Sequence, residues 1–182
     1  MDKEITVQIH TNVAEASQIL IDNGFKPVKT WVQTSSYWTH LDVSGSKKLP
    51  YKDLLGNSVI TRTAEWGSEI IHKTKHIGSD GNVIGEDKIT SSIDNFETTN
   101  QILMRAGLLN WITMTADQYI FRKDNMELCL QDVEDLGLFM EIEATRNDET
   151  IETLITCAKS LNLPLGDDFV GIKLPYMLYL DG

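Results

Sequence analysis

The chain has 182 residues, of which 41% are hydrophobic and 24% are charged, and its formal net charge at pH 7 is −11. This length and apolar content are typical of one globular domain and exclude a disordered chain. The acidic balance argues against a broad, non-specific contact with nucleic acid or with an anionic membrane.

The N-terminus and the two cysteines bear on where the protein works. Met1–Glu4 is polar and leads into an alternating segment, so we expect no signal peptide. No apolar run approaches the roughly 18 residues that span a membrane. Cys129 and Cys157 have no paired spacing, which indicates two small core residues. We therefore expect a cytoplasmic protein.

The first predicted elements are a strand and a helix. Residues 4–10 alternate polar and apolar side chains, which predicts a half-buried strand. Thr11 or Asn12 can cap a helix after it, and Gly24 suits the end of that helix. The sequence thus begins with a β-strand and an amphipathic helix.

Strands dominate the rest of the chain, together with two further helices. Segments rich in aromatic and β-branched residues predict strands, and Gly and Asn mark turns. The predicted strands cover 28–43, 57–66, 68–77, 83–92, 111–122, 126–133 and 138–145. Residues 47–55 form a connection that contains Pro50 and can hold a short helical turn, and 78–82 form a turn. Helices are predicted from Asp94 to Gly107, with Glu97 completing a capping box, and from about Asn147 onward.

These elements predict the fold class of residues 1–182. Short turns between consecutive strands are typical of antiparallel pairing. The order lacks the strand–helix alternation of a parallel nucleotide-binding sheet. We expect a single α+β domain with about eight antiparallel strands and about three helices.

Several common functional motifs are absent. The sequence has no P-loop, no glycine-rich dinucleotide motif, no H-E-x-x-H, no C-x-x-C and no G-x-S-x-G nucleophile. The four histidines are scattered along the chain. A zinc site or a Ser-His-Asp triad therefore has little support.

One predicted strand carries a pair of carboxylates. In the strand 138–145, Glu141 and Glu143 fall on the face opposite the aliphatic side chains. Their positions are about 7 Å apart along the strand, and such a pair can share a divalent cation that takes oxygen ligands. The alternative is that this face is simply the solvated outside of an amphipathic strand.

The pattern around this pair resembles a known family. Residues 130–143 read L-x-x-V-E-x-L-G-x-F-x-E-I-E, which is similar to the C-terminal signature of the CYTH superfamily, the class IV adenylate cyclases and thiamine triphosphatases. The order of elements matches over nearly the whole chain, and residues 175–178 resemble the S-Y-x-x-L ending of the family. The chain is identified as a divergent member.

The resemblance implies a fold and a binding site. The implied fold is a closed antiparallel barrel, the triphosphate tunnel, with the helices packed outside it. Glutamates facing inward would hold Mg²⁺ or Mn²⁺, and bases facing inward would hold a polyphosphate. The implied metal ligands are Glu4, Glu141 and Glu143. The implied phosphate-binding residues are Arg62 and Lys73, with Lys75, Lys88 and Arg122 as substitutes for lost bases.

The chain departs from the family at several charged positions. The opening E-x-E-x-K keeps Glu4 but has Gln8 where the family has its lysine. Glu86 puts a negative charge where the family has a positive one, and Gln131 replaces an aspartate. Asp132 follows directly, but an offset of one residue turns a side chain to the opposite face of a strand. Each lost charge-assisted hydrogen bond removes about 1.5–3 kcal/mol of phosphate binding.

Three kinds of function stay open at this stage. The first is an enzyme, either a metal-dependent triphosphate hydrolase or an adenylate cyclase, and the second is a binding module that has lost catalysis. The third is a structural role in which the carboxylates are only a solvated face. The expected partner is a small phosphorylated molecule such as a nucleoside, thiamine or inorganic triphosphate, with no nucleic acid and no membrane. A homodimer is the common default for an oligomer, and the sequence assigns no catalytic residue.

Overall fold

The computed structural model describes residues 3–45, 48–77, 83–145, 148–171 and 173–181, without the side chains of residues 77, 83 and 84. The predicted turn at 78–82 and the predicted helix start at Asn147 lie outside these ranges. None of the described helices is both long enough and apolar enough to cross a membrane.

The chain divides into two units, each assembled from separate segments. Unit 1 comprises Val32–Thr115 and Lys173–Gly182, together with Met1. Unit 2 comprises Asp2–Trp31 and Ala116–Ile172. Neither unit is a continuous piece of sequence, and the single domain expected for residues 1–182 stays a prediction.

Strands make up most of the described secondary structure. The strands are β1 (Glu4–Gln8), β2 (Lys26–Thr39), β3 (Asn57–Ala64), β4 (Gly67–Ile77), β5 (Val83–Ile93), β6 (Leu109–Lys123), β7 (Met126–Val133) and β8 (Gly137–Glu143). The helices are α1 (Val13–Asp22), α2 (Tyr51–Leu55), α3 (Phe96–Arg105), α4 (Ile151–Ser160) and α5 (Leu174–Asp181). All eight predicted strands are therefore confirmed as elements, with ends that differ by a few residues.

The strands form a sheet that has two edges. Its hydrogen-bonded order is β1-β8-β7-β6-β2-β3-β4-β5, and the strand pairs β1–β8, β2–β3, β3–β4, β4–β5, β6–β7 and β7–β8 are antiparallel. A closed barrel has no edge strand, whereas β1 and β5 end this order within the described residues. The predicted closed barrel is therefore wrong: the sheet is open.

The number of helices also differs from the prediction. Five helices are described where about three were expected, and the additional ones are α2 and α5. Helix α2 has only five residues, too few to produce a periodic pattern. Helix α5 is apolar around most of its circumference and has Pro175 in its first turn, so no amphipathic stripe marked it.

Side-chain caps explain where the longer helices begin. Asn12 caps α1, as one of the two predicted residues. The side chain of Asn95, rather than that of Asp94, accepts a backbone N–H at the start of α3. Thr150 and Thr153 form a reciprocal capping box at the start of α4.

Unit 2 buries one face of its sheet against two helices. The strict alternation of β1 and β8 places aliphatic side chains on one face and polar ones on the other. The aliphatic face packs with α1 and α4 to form a core of Ile5, Val7, Ile9, Ala16, Leu20, Phe25, Phe121, Leu128, Leu130, Leu138, Met140, Ile142, Leu154, Ala158, Leu161, Leu163 and Phe169. The opposite face of these strands carries polar side chains together with the buried Phe139.

Unit 1 contains β3, β4, β5 and the adjoining parts of β2 and β6. The hydroxyl groups of Thr34 and Thr115 lie 3.2 Å apart and join the β2 and β6 segments. Helix α3 is tied to β3 by the hydroxyl of Thr61, which donates to Asn100 Oδ1 at 2.6 Å. Ile60 and Ile71, opposite each other on β3 and β4, are 2% and 0% exposed and form part of the interior.

Candidate functional site

Three carboxylates come together on the polar face of unit 2. Glu4 on β1 lies directly opposite Glu143 on β8, and Glu141 is two residues earlier on the same face of β8. One oxygen of each carboxylate lies within 4.8 Å of the others. The structure therefore brings together all three residues that the sequence predicted as metal ligands.

The spacing of these oxygens suits a divalent cation. Mg²⁺ and Ca²⁺ bind oxygen ligands at about 2.0–2.6 Å, so two ligands on opposite sides of an ion are about 4–5 Å apart. The carboxylate oxygens, all within 4.8 Å of one another, meet that condition. Carboxylate donors also match the hard cations Mg²⁺ and Mn²⁺ better than metals that prefer sulfur.

The strand face around Glu141 is largely covered. Phe139, which shares this face of β8, is 0% exposed, and the neighbouring Gln131 and Gln118 are 7% and 4% exposed. A simple solvated outer face would leave an aromatic side chain open to water. Glu4 and Glu143 are exposed, so the carboxylate group is reachable from one end of this partly buried face.

Gln131 supports Glu141 directly. Its side-chain Nε2 donates a hydrogen bond of 2.9 Å to Oε2 of Glu141. The residue that stands where the family has an aspartate therefore contacts a candidate metal ligand as a neutral amide. Such a hydrogen bond fixes the orientation of a ligating carboxylate.

Asp132 does not replace the missing aspartate. It pairs with Asp117 and Leu138 and so lies on the face opposite to Gln131 and Glu141. Partial burial, followed by the charges of Asp117 and Asp132, raises the pKa of Tyr119 on that same opposite face. The predicted consequence of a one-residue offset is confirmed.

Cys129 lies beside the carboxylates rather than in the apolar core. It is directly opposite Glu141, and its thiol donates to Oε1 of Gln118 at 3.0 Å. Burial first, and then the charge of Glu141, raises the pKa of Cys129 to about 12. The thiol thus stays protonated near neutral pH, which excludes a role as a thiolate nucleophile in this state.

Gln118 has an unused donor. Its Nε2 is buried and has no hydrogen-bond partner among the described residues. The sequence marked Gln131 only as the replacement of an aspartate and did not indicate Gln118 or Cys129 as members of this site. The signal that could identify them is the register: they fall on the face of Glu141 once the β6–β7–β8 pairing is known.

Arg122 is the one predicted phosphate-binding residue in unit 2. Its Nη2 lies 2.5 Å from Oε2 of Glu127, the residue directly opposite it on β7. Both side chains are about half exposed. The charge of Arg122 is therefore partly neutralised by a carboxylate that is already in contact with it.

The other predicted bases lie on one face of the unit 1 sheet. Arg62 is opposite Glu69, Lys73 is opposite Lys88, and Lys75 is opposite Glu86. Alternation along β3, β4 and β5 puts these side chains on the same face. Arg62 is four residues along β3 from Ser58, the residue opposite Lys73, so the bases form two groups about 13 Å apart.

Carboxylates contact the bases of both groups. Nη1 of Arg62 lies 3.4 Å from Oε1 of Glu69, and its Nε donates to Oγ of Ser35 at 3.3 Å. Nζ of Lys73 lies 2.8 Å from Oε1 of Glu86. Lys88 is exposed. The structure thus brings Lys73, Lys75 and Lys88 together, keeps Arg62 apart from them along the strand, and places Arg122 in the other unit.

Comparison with known proteins yields one curated relative and several solved structures. No family model matches the chain. A protein of Methanocaldococcus jannaschii named "putative adenylate cyclase" is 26% identical over 172 residues, which cover 87% of this chain and 90% of that protein.

The solved structures share the fold over almost the full length. The PH1012 protein of Pyrococcus horikoshii matches with a TM-score of 0.73 and 18% identity, covering 98% of this chain and 99% of that one. A Hippeastrum protein, described as a "putative adenylyl cyclase" with a dominant triphosphatase activity, matches with a TM-score of 0.68 and 15% identity, covering 100% and 96%. At these identities the likeness concerns the fold.

Proposed function

We propose, from the premise that this chain is a divergent member of the CYTH superfamily, that it is a metal-dependent hydrolase of small triphosphates. The observation that carries the proposal is the convergence of Glu4, Glu141 and Glu143, whose oxygens lie within 4.8 Å of one another. A carboxylate cluster of this kind has a use in phosphoryl transfer because a divalent cation neutralises charge on phosphate oxygens.

The protein groups of unit 2 have distinct roles in this proposal. The three glutamates would hold Mg²⁺ or Mn²⁺, and Gln131 keeps Glu141 oriented through its 2.9 Å hydrogen bond. Cys129, whose pKa is raised to about 12, stays uncharged and adds no further negative charge beside the glutamates. A bound cation would supply charge neutralisation and polarise a phosphoryl group.

Unit 1, taken by itself, carries bases that would attract phosphate oxygens. Lys73 and Lys75 are close together and only 21% and 16% exposed, so their charges are screened less than those of surface lysines. Arg62 offers the planar donor group that suits phosphate, although Glu69 engages part of it. These residues fit an anionic ligand with several oxygens.

Hydrolysis is favoured over cyclisation because the bases are in contact with carboxylates. Cyclisation of ATP needs the 3′-hydroxyl held in line with the α-phosphorus, and such positioning accounts for about 7–11 kcal/mol of barrier lowering. Glutamates already contact the bases Arg62, Lys73 and Arg122 at 2.5–3.4 Å. These contacts weaken the binding of ATP phosphates by the bases. Attack by water on a terminal phosphate makes fewer demands, and the triphosphatase activity described for the Hippeastrum protein supports this choice.

The test is a comparison of products. Purified protein is given inorganic triphosphate, thiamine triphosphate or ATP, with Mg²⁺, with Mn²⁺ or with a chelator. We expect metal-dependent release of phosphate from at least one triphosphate and little or no cyclic AMP from ATP. Cyclic AMP as the main product would make the protein a cyclase. Tight binding of triphosphate without turnover would make it a binding module.

A further inference from the structure

Glu86 on β5 lies between two of the proposed phosphate-binding lysines. Its Oε1 is 2.8 Å from Nζ of Lys73, and its Oε2 is 4.0 Å from Nζ of Lys75. All three side chains are at most 21% exposed. One carboxylate therefore spans two ammonium groups in a place that water screens only partly.

The contacts of Glu86 show that its carboxylate is shared between Lys73 and Lys75. Its direct cross-strand partner is Lys75, yet the shorter contact is the diagonal one to Lys73. A simple cross-strand ion pair would favour the directly opposite residue. The carboxylate instead leans toward the point where Lys73, Lys75 and, opposite Lys73, Lys88 come together.

A carboxylate in that position presents the same chemistry as a phosphate oxygen. Both are anionic acceptors that bind an ammonium group at about 2.7–2.9 Å. The oxygen of Glu86 that lies 2.8 Å from Nζ of Lys73 thus occupies one of the contact positions of that ammonium group.

We infer that Glu86 is an internal competitor for the ligand phosphate at Lys73 and Lys75, and that it limits the affinity of the protein for polyphosphates. The inference rests on the proposed function, because it takes these lysines to be phosphate-binding. Glu86 thereby weakens the binding of simple polyanions at these lysines.

The experiment is calorimetric titration of inorganic triphosphate without added divalent cation. Under this condition the carboxylate site of unit 2 contributes no cation-mediated binding. In Glu86→Gln the affinity should rise about tenfold, the change that about 1.4 kcal/mol produces. The matched control is Glu65→Gln, which alters the net charge equally at an exposed position in the β3–β4 turn and should leave the affinity within about twofold of the parent.

Folding of each variant is checked by circular dichroism, since Glu86→Gln leaves Lys73 half-buried without this carboxylate. If that variant does not fold, Lys73→Gln is compared with the double variant Lys73→Gln/Glu86→Gln, in which neither member of the pair keeps its charge. Lys75 is then the lysine released, so the double variant should bind triphosphate more tightly than Lys73→Gln alone.

The possible results distinguish the competitor role of Glu86 from the proposed phosphate site itself. Affinity that is unchanged or weaker in Glu86→Gln, beside a parent that binds triphosphate, overturns the competitor role and leaves the phosphate site standing. Failure of the parent and of every variant to bind triphosphate overturns the proposed phosphate site itself.

Discussion

Replacing Glu141 with Gln should reduce metal-dependent release of phosphate from triphosphate by about 100-fold or more. The substitution keeps the size of the side chain and its ability to meet Gln131, but it removes one negative charge from the group of three. Losing an outer partner of a metal ligand already costs about 10–100-fold in affinity or activity. Glu141 is the half-buried member of the group and a direct candidate ligand, so its loss should cost at least as much.

The measurement is kcat and KM for the best triphosphate substrate over a range of Mn²⁺ concentrations. The control is Glu134→Gln, an exposed glutamate in the β7–β8 turn of the same unit, which changes the net charge equally. We expect this control to match the parent. Full activity of Glu141→Gln with an unchanged dependence on Mn²⁺ would show that the metal, if one is used, binds elsewhere.

Replacing Phe139 with Ala should lower the free energy of unfolding by about 3–5 kcal/mol. Phe139 is 0% exposed although it lies on the same face of β8 as Glu141. Truncating a fully buried aromatic side chain removes its transfer free energy and leaves a cavity. The expected loss of stability is therefore large, whereas the same substitution on the solvated face of a surface strand would cost little.

Urea unfolding followed by circular dichroism gives the free energies to compare. Ile89→Ala is the control, because Ile89 is 71% exposed on β5 and its truncation should cost about 0.5 kcal/mol or less. A loss below about 1 kcal/mol in Phe139→Ala would mean that the face bearing Glu141 is open to solvent. The carboxylates would then be an ordinary charged surface.

Strand positions were predictable from the sequence because alternation is a local property. Segment 4–10 shows its aliphatic face without any knowledge of its partner, and β1 follows that pattern. The same is true of β7, whose predicted range 126–133 is the observed one. Closure of the sheet is not a local property, because it requires hydrogen bonds between β1 and β5, which are far apart in the sequence. The closed barrel implied by the family resemblance was therefore wrong.

The carboxylate group of unit 2 was also predictable. Glu141 and Glu143 share a face by alternation, and the family resemblance added Glu4 on a different strand. The structure places the three within 4.8 Å because β1 and β8 pair in a register that puts Glu4 opposite Glu143. The sequence by itself does not fix the register of the β1–β8 pairing. The buried aliphatic face restricts it, because only a shift by an even number of residues keeps the aliphatic side chains on that face.

The partners of these residues could not be predicted in the same way. The hydrogen bond from Gln131 to Glu141 and the contact of Glu86 with Lys73 both join different strands. A shift of one residue in either pairing would send one side chain to the opposite face. The sequence indicated that Glu86 carries the wrong charge for a phosphate site, and the structure adds which lysines it engages.

The most direct test of the central claim, that Glu4, Glu141 and Glu143 form a divalent-cation site, is a crystal structure of the protein with Mn²⁺. The measurement is the anomalous difference map of the bound manganese. The account predicts one strong peak at about 2.0–2.6 Å from an oxygen of each of the three carboxylates, and no such peak in crystals of Glu141→Gln. A peak at another place, or full Mn²⁺ saturation with no density among the three glutamates, would contradict it.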